Sequence, residues 1–130
     1  MKYLLDTCAL LDMIFFPEQL SKNAKTILES KDCELAVSIA SFWEIAVKIQ
    51  IGKMDIGKRS ISQFAALCQE LGIEIIQTKL QAIDKISQLP VFKDHGDPFD
   101  RLIIVHAQYL RLPVLTSDSK FSRYNVRVVW

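Results

Sequence analysis

Four carboxylates carry the chemistry that this sequence can offer: Asp6 in YLLDTCALL, Glu44 in SFWEIAVKI, Asp100 in HGDPFDRLII and Asp118 in PVLTSDSKF. Carboxylates brought within a few ångströms raise one another's pKa, and a multivalent cation relieves the repulsion. Oxygen ligands without accompanying cysteines or paired histidines point to Mg²⁺ or Mn²⁺ rather than zinc. One or two such ions suit hydrolysis of a phosphodiester without a protein nucleophile.

Each acid also has an ordinary structural explanation. Asp6 suits an end-of-strand turn, Glu44 the last position of a Ser41-x-x-Glu44 capping box, and Asp118 a helix N-cap. In HGDPFDRL, Asp97 suits an N-cap, Pro98 the first helical position, and Asp100 the first turn, where the helix dipole favours an anion. What separates chemistry from punctuation is whether all four acids fall at one edge of the fold, and that depends on the elements between them.

Short apolar runs at residues 3–5, 35–38, 73–76, 113–116 and 126–130 predict strands. Between them, apolar periodicity and Pro and Gly breaks predict helices over 7–16, 18–30, the segment SIASFWEIAVKI, 61–72, 80–89 and 98–110. The third of these is apolar nearly all round, which predicts a largely buried helix. Strands without alternation, separated by helices, imply one parallel sheet covered on both faces, a three-layer α/β/α sandwich. Ligands of such sheets bind at the carboxyl ends of the strands. Asp6 ends the first strand, Glu44 follows the second, Asp100 opens the helix before the fourth and Asp118 follows the fourth, so all four are expected at that edge.

The bulk composition fits this architecture. The 130 residues suit a single domain over 1–130, with half the residues hydrophobic and a quarter charged. Cys8, Cys33 and Cys68 are odd in number and lack CxxC spacing, which predicts small apolar fillers in a reducing compartment. Asp6 and Asp12 interrupt the apolar start, and no stretch is long enough for a membrane span, so a cytoplasmic protein without membrane contact is expected. The net charge is +1, but gathering four acids in a pocket leaves 16 basic against 11 acidic residues elsewhere, a surface suited to a phosphate-bearing partner.

Other chemistries lack support. The four glycines form neither GxGxxG nor GxxxxGK[ST], and Cys8 stands where a DxD nucleophile would need its second acid. His95 and His106 are isolated in sequence. His106 is expected to pack within its helix and His95 to lie in a loop near substrate, while Trp43 is expected in the core or a dimer face. Lys48 pairs with Glu44 at i,i+4 spacing. Lys48, Lys53, Arg101, Lys120 and Arg123 lie in segments near the acids and are candidates for contacts to the phosphates of such a partner.

The stretches YLLDTCALL, VSIASFWEIAVKIQIGKM, HGDPFDRLIIVHA and LPVLTSDSKFSRYNVRVVW, in this order, resemble the PIN domain, and more narrowly the VapC-like toxin ribonucleases of toxin–antitoxin pairs. The resemblance covers essentially the whole chain. It implies a compact α/β nuclease that binds Mg²⁺ or Mn²⁺ and cuts RNA. Asp6, Glu44, Asp100 and Asp118 match the family's acids, Thr7 the hydroxyl residue after the first acid, and Thr116 or Ser117 the one before the last. Asp97 then supports from behind as the N-cap. The resemblance further implies a homodimer and a small antitoxin partner. The alternative is a catalytically silent module of the same fold that binds RNA or protein.

Overall fold

Five short parallel strands divide the interior into two cores. In the computed structural model, which describes residues 1–130, the sheet consists of β1 (Lys2–Leu5), β2 (Glu34–Ser38), β3 (Ile73–Ile76), β4 (Val114–Leu115) and β5 (Val128–Val129). Its order is β3-β2-β1-β4-β5, with every pairing parallel. The helices are α1 (Thr7–Phe15), α2 (Lys22–Glu29), α3 (Ile39–Gln50), α4 (Ile61–Glu70), α5 (Leu80–Ile86) and α6 (Pro98–Leu110). Because successive side chains on a strand face opposite ways, Leu4, Ala36 and Val114 pack with Ile103, Ile104 and Ala107 of α6. Leu5, Val37 and Leu115 meet Leu10 of α1 and Phe64 and Cys68 of α4 on the other face. The three-layer sandwich expected from the sequence is the observed one.

The chain grows outward from β1 to β2 and β3, then returns across the sheet to pair β4 with the other side of β1. Leu5 therefore lies between Val37 and Leu115. The reversal opens a crevice beyond the carboxyl ends of β1 and β4, where neighbouring connections run to opposite faces.

Several boundaries differ from the sequence expectation for local reasons. The helix expected over 18–30 divides into a 3-10 turn at Pro17–Gln19 and α2, because Ser21 restarts the helix by accepting the Ala24 N–H at 2.9 Å. The capping box expected at Ser41 and Glu44 does not form. Ser38 is the N-cap of α3, accepting the Ala40 N–H at 3.0 Å, which moves Glu44 into the second turn. Nor is α3 buried along its whole length: Phe42 and Ile45 face the core, but Trp43 is 58% exposed and Ile49 is also exposed. Of the three cysteines only Cys68 is a buried filler. Cys8 is exposed and Cys33 half-buried.

His106 is buried in α6, with its Nδ1 2.8 Å from the Ser38 hydroxyl. Burial holds its pKa below the usual histidine value. Ser38 thus serves both the first turn of α3 and a buried ring on the helix packed beside it. Ser38→Ala removes the cap and strips the imidazole of its partner, so a loss of about 1–3 kcal/mol in urea unfolding is expected. A change smaller than a typical surface substitution would show that the pair does not hold α3 against α6.

Candidate active site

Asp6 stands at the crevice between β1 and β4. Its N–H donates to the Leu115 carbonyl at 3.2 Å, which extends the strand pairing by one residue. As the N-cap of α1, its Oδ1 accepts the Ala9 N–H at 2.7 Å, while Oδ2 accepts the Thr116 hydroxyl. The same Thr116 oxygen accepts the Asp118 N–H at 3.0 Å, so one buried hydroxyl links the first acid to the last. Burial pushes Asp6 up to about 6, against the lowering effect of its two hydrogen bonds, and Glu44 and Asp118 add repulsion.

Glu44 enters from α3. Its Oε2 accepts Lys48 Nζ at 2.8 Å, and its Oε1 is buried without a partner. The Thr7 hydroxyl donates to Ser41 Oγ at 2.9 Å, one turn before Glu44, and pins the start of α1 to α3. Thr7 therefore positions the helix of Glu44.

Asp97 and Asp100 divide their work as HGDPFDRL implies. Asp97 caps α6, its Oδ1 accepting the N–H groups of Phe99 at 2.8 Å and Asp100 at 3.2 Å. That leaves the Asp100 carboxylate free to face the crevice. Its pKa is pushed up to about 7, first by burial and then by Asp97, Glu44, Asp6 and Asp118. Asp118 caps a 3-10 helix at Ser119–Tyr124 through the Lys120 N–H, and its Oδ2 is directed elsewhere. Asp6, Glu44, Asp97, Asp100, Ser117 and Asp118 all border one cleft of about 190 Å³, with Lys48 at its side. A larger cavity of about 580 Å³, between Met1, Pro113 and Arg127, lies at the amino ends of the strands and contains no acid.

His95 corrects the sequence reading, in which it is an isolated loop residue. It is 6% exposed, with Nε2 3.2 Å from Asp100 Oδ2 and 3.7 Å from Asp118 Oδ2. Its Nδ1 lies 2.8 Å from the Tyr124 hydroxyl, 29 residues later in the chain. Only that distant partner shows its importance, and no local spacing carries the signal. His95, Asp100 and Asp118 offer ligand atoms within 4.8 Å of one another, close enough for one ion. The buried, unpartnered Glu44 Oε1 and His95 Nε2 fit the same use, so the donor set suits a divalent cation.

The basic residues are less uniform than expected. Lys48 borders the cleft and Lys53 is exposed on the loop after α3. Arg101 turns back to the carbonyls of Pro90 and Ile86, whereas Lys120 and Arg123 engage Asp94. Trp43, next to Glu44, packs edge-to-face on Phe99, next to Asp100, with ring centroids 4.8 Å apart. It forms an aromatic lip rather than part of the core. Cys8 also borders the cleft, and although the residue is exposed, partial desolvation of its sulfur and the neighbouring Asp6 push its thiol up to about 11, which leaves it neutral and a poor nucleophile.

Solved structures share this fold. A chain from the crystal structure of VapBC2 from Rickettsia felis, bound to a promoter DNA fragment, is 19% identical with a TM-score of 0.69, covering 99% of this chain and 98% of that one. VapBC-1 from nontypeable Haemophilus influenzae gives 17% and 0.63, covering 99% and 97%, and DNA-bound VapBC from Salmonella typhimurium gives 19% and 0.63, also covering 99% and 97%. No curated protein matches. A family model described as PIN domain matches residues 3–126. That match runs through every segment that builds the cleft, from β1 to the 3-10 helix of Asp118, and the chain belongs to the PIN domain family.

Proposed function

We propose that this protein is a divalent-metal-dependent endoribonuclease, the toxin of a toxin–antitoxin pair. One observation carries the reading: Asp6, Glu44, Asp100 and Asp118, contributed by four separate segments, border one cleft at the switch point of the sheet. PIN domains are generally nucleases, which supports hydrolysis as the chemistry. Among the solved relatives, one is described as a toxin–antitoxin complex from Klebsiella pneumoniae. Likeness to that complex supports a small antitoxin as partner, and the homodimer and cytoplasmic location belong to the same proposal.

Bound Mg²⁺ or Mn²⁺ supplies charge neutralisation at the scissile phosphate and a lowered pKa for the attacking water. Asp100 and Asp118 are the residues that would hold it, with Asp6 and Glu44 bordering the same cleft. Thr116 fixes Asp6 relative to Asp118, Thr7 fixes the helix that carries Glu44, Asp97 frees Asp100, and exposed Ser117 borders the cleft. Lys48 at the cleft and exposed Lys53 are the proposed contacts for RNA phosphates, and Lys48, Arg101, Lys120 and Arg123 first have to release their present partners. Trp43 and Phe99 offer a face on which an unpaired base stacks, which favours single-stranded substrate.

The metal-free cleft holds charge it does not favour, and this fixes the sign of its pH dependence. Asp6 and Asp100 have folded pKa values of about 6 and about 7 against 3.8 for an ordinary aspartate. The folded state therefore binds more protons than the unfolded chain between about pH 4 and 7, and stability falls as pH rises through that window. Metal-free Asp100→Asn is expected to melt higher than wild type at pH 8, by an amount that vanishes below about pH 4, while losing cleavage. Equal or lower melting at pH 8 would show that Asp100 is not a strained carboxylate. Divalent cation displaces the same protons, so Mg²⁺ or Mn²⁺ should raise the melting temperature more at pH 8 than at pH 5.

Cleavage of a single-stranded RNA should disappear with EDTA, return with Mg²⁺ or Mn²⁺, and be absent in folded Asp6→Asn. Cleavage that survives either treatment would end the nuclease reading, and RNA binding without hydrolysis in the presence of both ions would favour the silent module. Trp43→Ala is expected to raise KM about tenfold with little change in kcat, in line with the loss of one base–aromatic stack. An unchanged KM would remove the lip from the substrate path.

A further inference from the structure

The two hydrogen bonds of Tyr124 determine what His95 can do. The Tyr124 hydroxyl donates to the His95 carbonyl at 3.0 Å, so toward the ring it can only accept. The proton in the 2.8 Å contact between that hydroxyl and Nδ1 therefore belongs to the imidazole. In the neutral ring this leaves Nε2 with its lone pair bare, and Nε2 is the atom between Asp100 and Asp118. It is buried and has no hydrogen-bond partner, although carboxylate oxygens stand 3.2 and 3.7 Å away. Three lone-pair donors facing one another across a few ångströms repel unless a proton or a metal cation lies among them.

The separations suit a shared ion. Two ligands each about 2.1 Å from one ion and at about a right angle lie about 3 Å apart, which is the spacing of Nε2 and Asp100 Oδ2. The ring is also held rigidly. Phe121 and Tyr124, both fully buried, pack on it with centroids 5.7 and 5.3 Å away, and Phe92 packs edge-on against Tyr124. A histidine whose far nitrogen donates to a fixed oxygen, with its near nitrogen facing carboxylates, has the arrangement of metal-ligating imidazoles generally.

We infer that His95 Nε2 is a metal ligand alongside Asp100 and Asp118, and that this nitrogen makes the centre prefer Mn²⁺ to Mg²⁺. The preference follows from ligand chemistry. Mg²⁺ takes oxygen almost exclusively and keeps its waters, whereas Mn²⁺ accepts imidazole within an otherwise oxygen-ligated shell. Tyr124 is then a positioning residue that fixes the tautomer, and Asp118 caps the same short helix that ends in Tyr124. The inference rests on the acidic cleft being the metal site, and its test separates the two.

Wild-type protein loaded with one equivalent of Mn²⁺ should show nitrogen modulation in pulsed electron paramagnetic resonance, changed in kind when histidine is labelled with ¹⁵N. His106 is bonded to Ser38 and borders a different cavity, so the labelled signal reports on His95. Calorimetry should give tighter binding of Mn²⁺ than of Mg²⁺. His95→Gln should abolish the modulation and weaken Mn²⁺ by about tenfold or more while changing Mg²⁺ much less. The labelled wild-type measurement stands even if that variant fails to fold. Mn²⁺ bound without nitrogen coupling, or equal affinity for the two ions, would overturn the inference and leave the acidic metal site intact. Failure of both ions to bind would overturn the inference and the metal site together.

Discussion

The parallel pairing of β1 with β4 is the contact on which the site depends. It brings the residue after Leu5 beside the residue after Leu115, although they are 110 positions apart, and places the Thr116 hydroxyl on the Asp6 carboxylate. Without that pairing Asp6 is only the cap of α1 and Asp118 only the cap of a 3-10 helix. With it, two local hydrogen-bonding devices come to border one cleft. The outward growth of the sheet to β3 and its return to β4 create the opening, and α6, running back against the strands, brings its amino end with Asp97 and Asp100 to the same edge.

Local architecture then supplies orientation, and burial supplies function. Asp97 satisfies two N–H groups at the start of α6, so Asp100 need not do so. Thr7 and Ser41 tie α1 to α3, so Glu44 enters at a fixed angle. Each arrangement uses an ordinary capping or hydroxyl contact, and their sum is a concentration of negative charge that the metal-free fold tolerates only by retaining protons. The same concentration makes a divalent cation a natural occupant.

The gathering of the four acids at one edge was legible because Asp6, Asp100 and Asp118 sit at junctions between strand and helix, which are written in local hydrophobic period and capping chemistry, while Glu44 follows in the second turn of the helix after β2. The division between Asp97 and Asp100 was legible for the same reason. Ser38 and Ser41 were not distinguishable, since both can cap a helix and only the end of β2 decides where α3 begins. Of the two places expected for Trp43 the core is excluded, and hydropathy could not decide this because it gives the character of a helix face without saying whether anything covers it. His95 was beyond reach of local reasoning. Its tautomer and direction come from Tyr124, and that contact exists only after β4 and the 3-10 helix have folded against the loop before α6.

The raised proton affinity of Asp6 and Asp100 has an evolutionary corollary. In most proteins a buried polar residue is retained in part because its loss leaves a hole or an orphaned partner. Here a neutral replacement of Asp100 is expected to ease folding of the metal-free chain above the pKa of that acid, so selection for a sound fold alone would not preserve it and drift would remove it early. A lineage freed from the need for its chemistry should therefore accumulate chains of sound architecture with an eroded cleft, whereas this chain carries the full set.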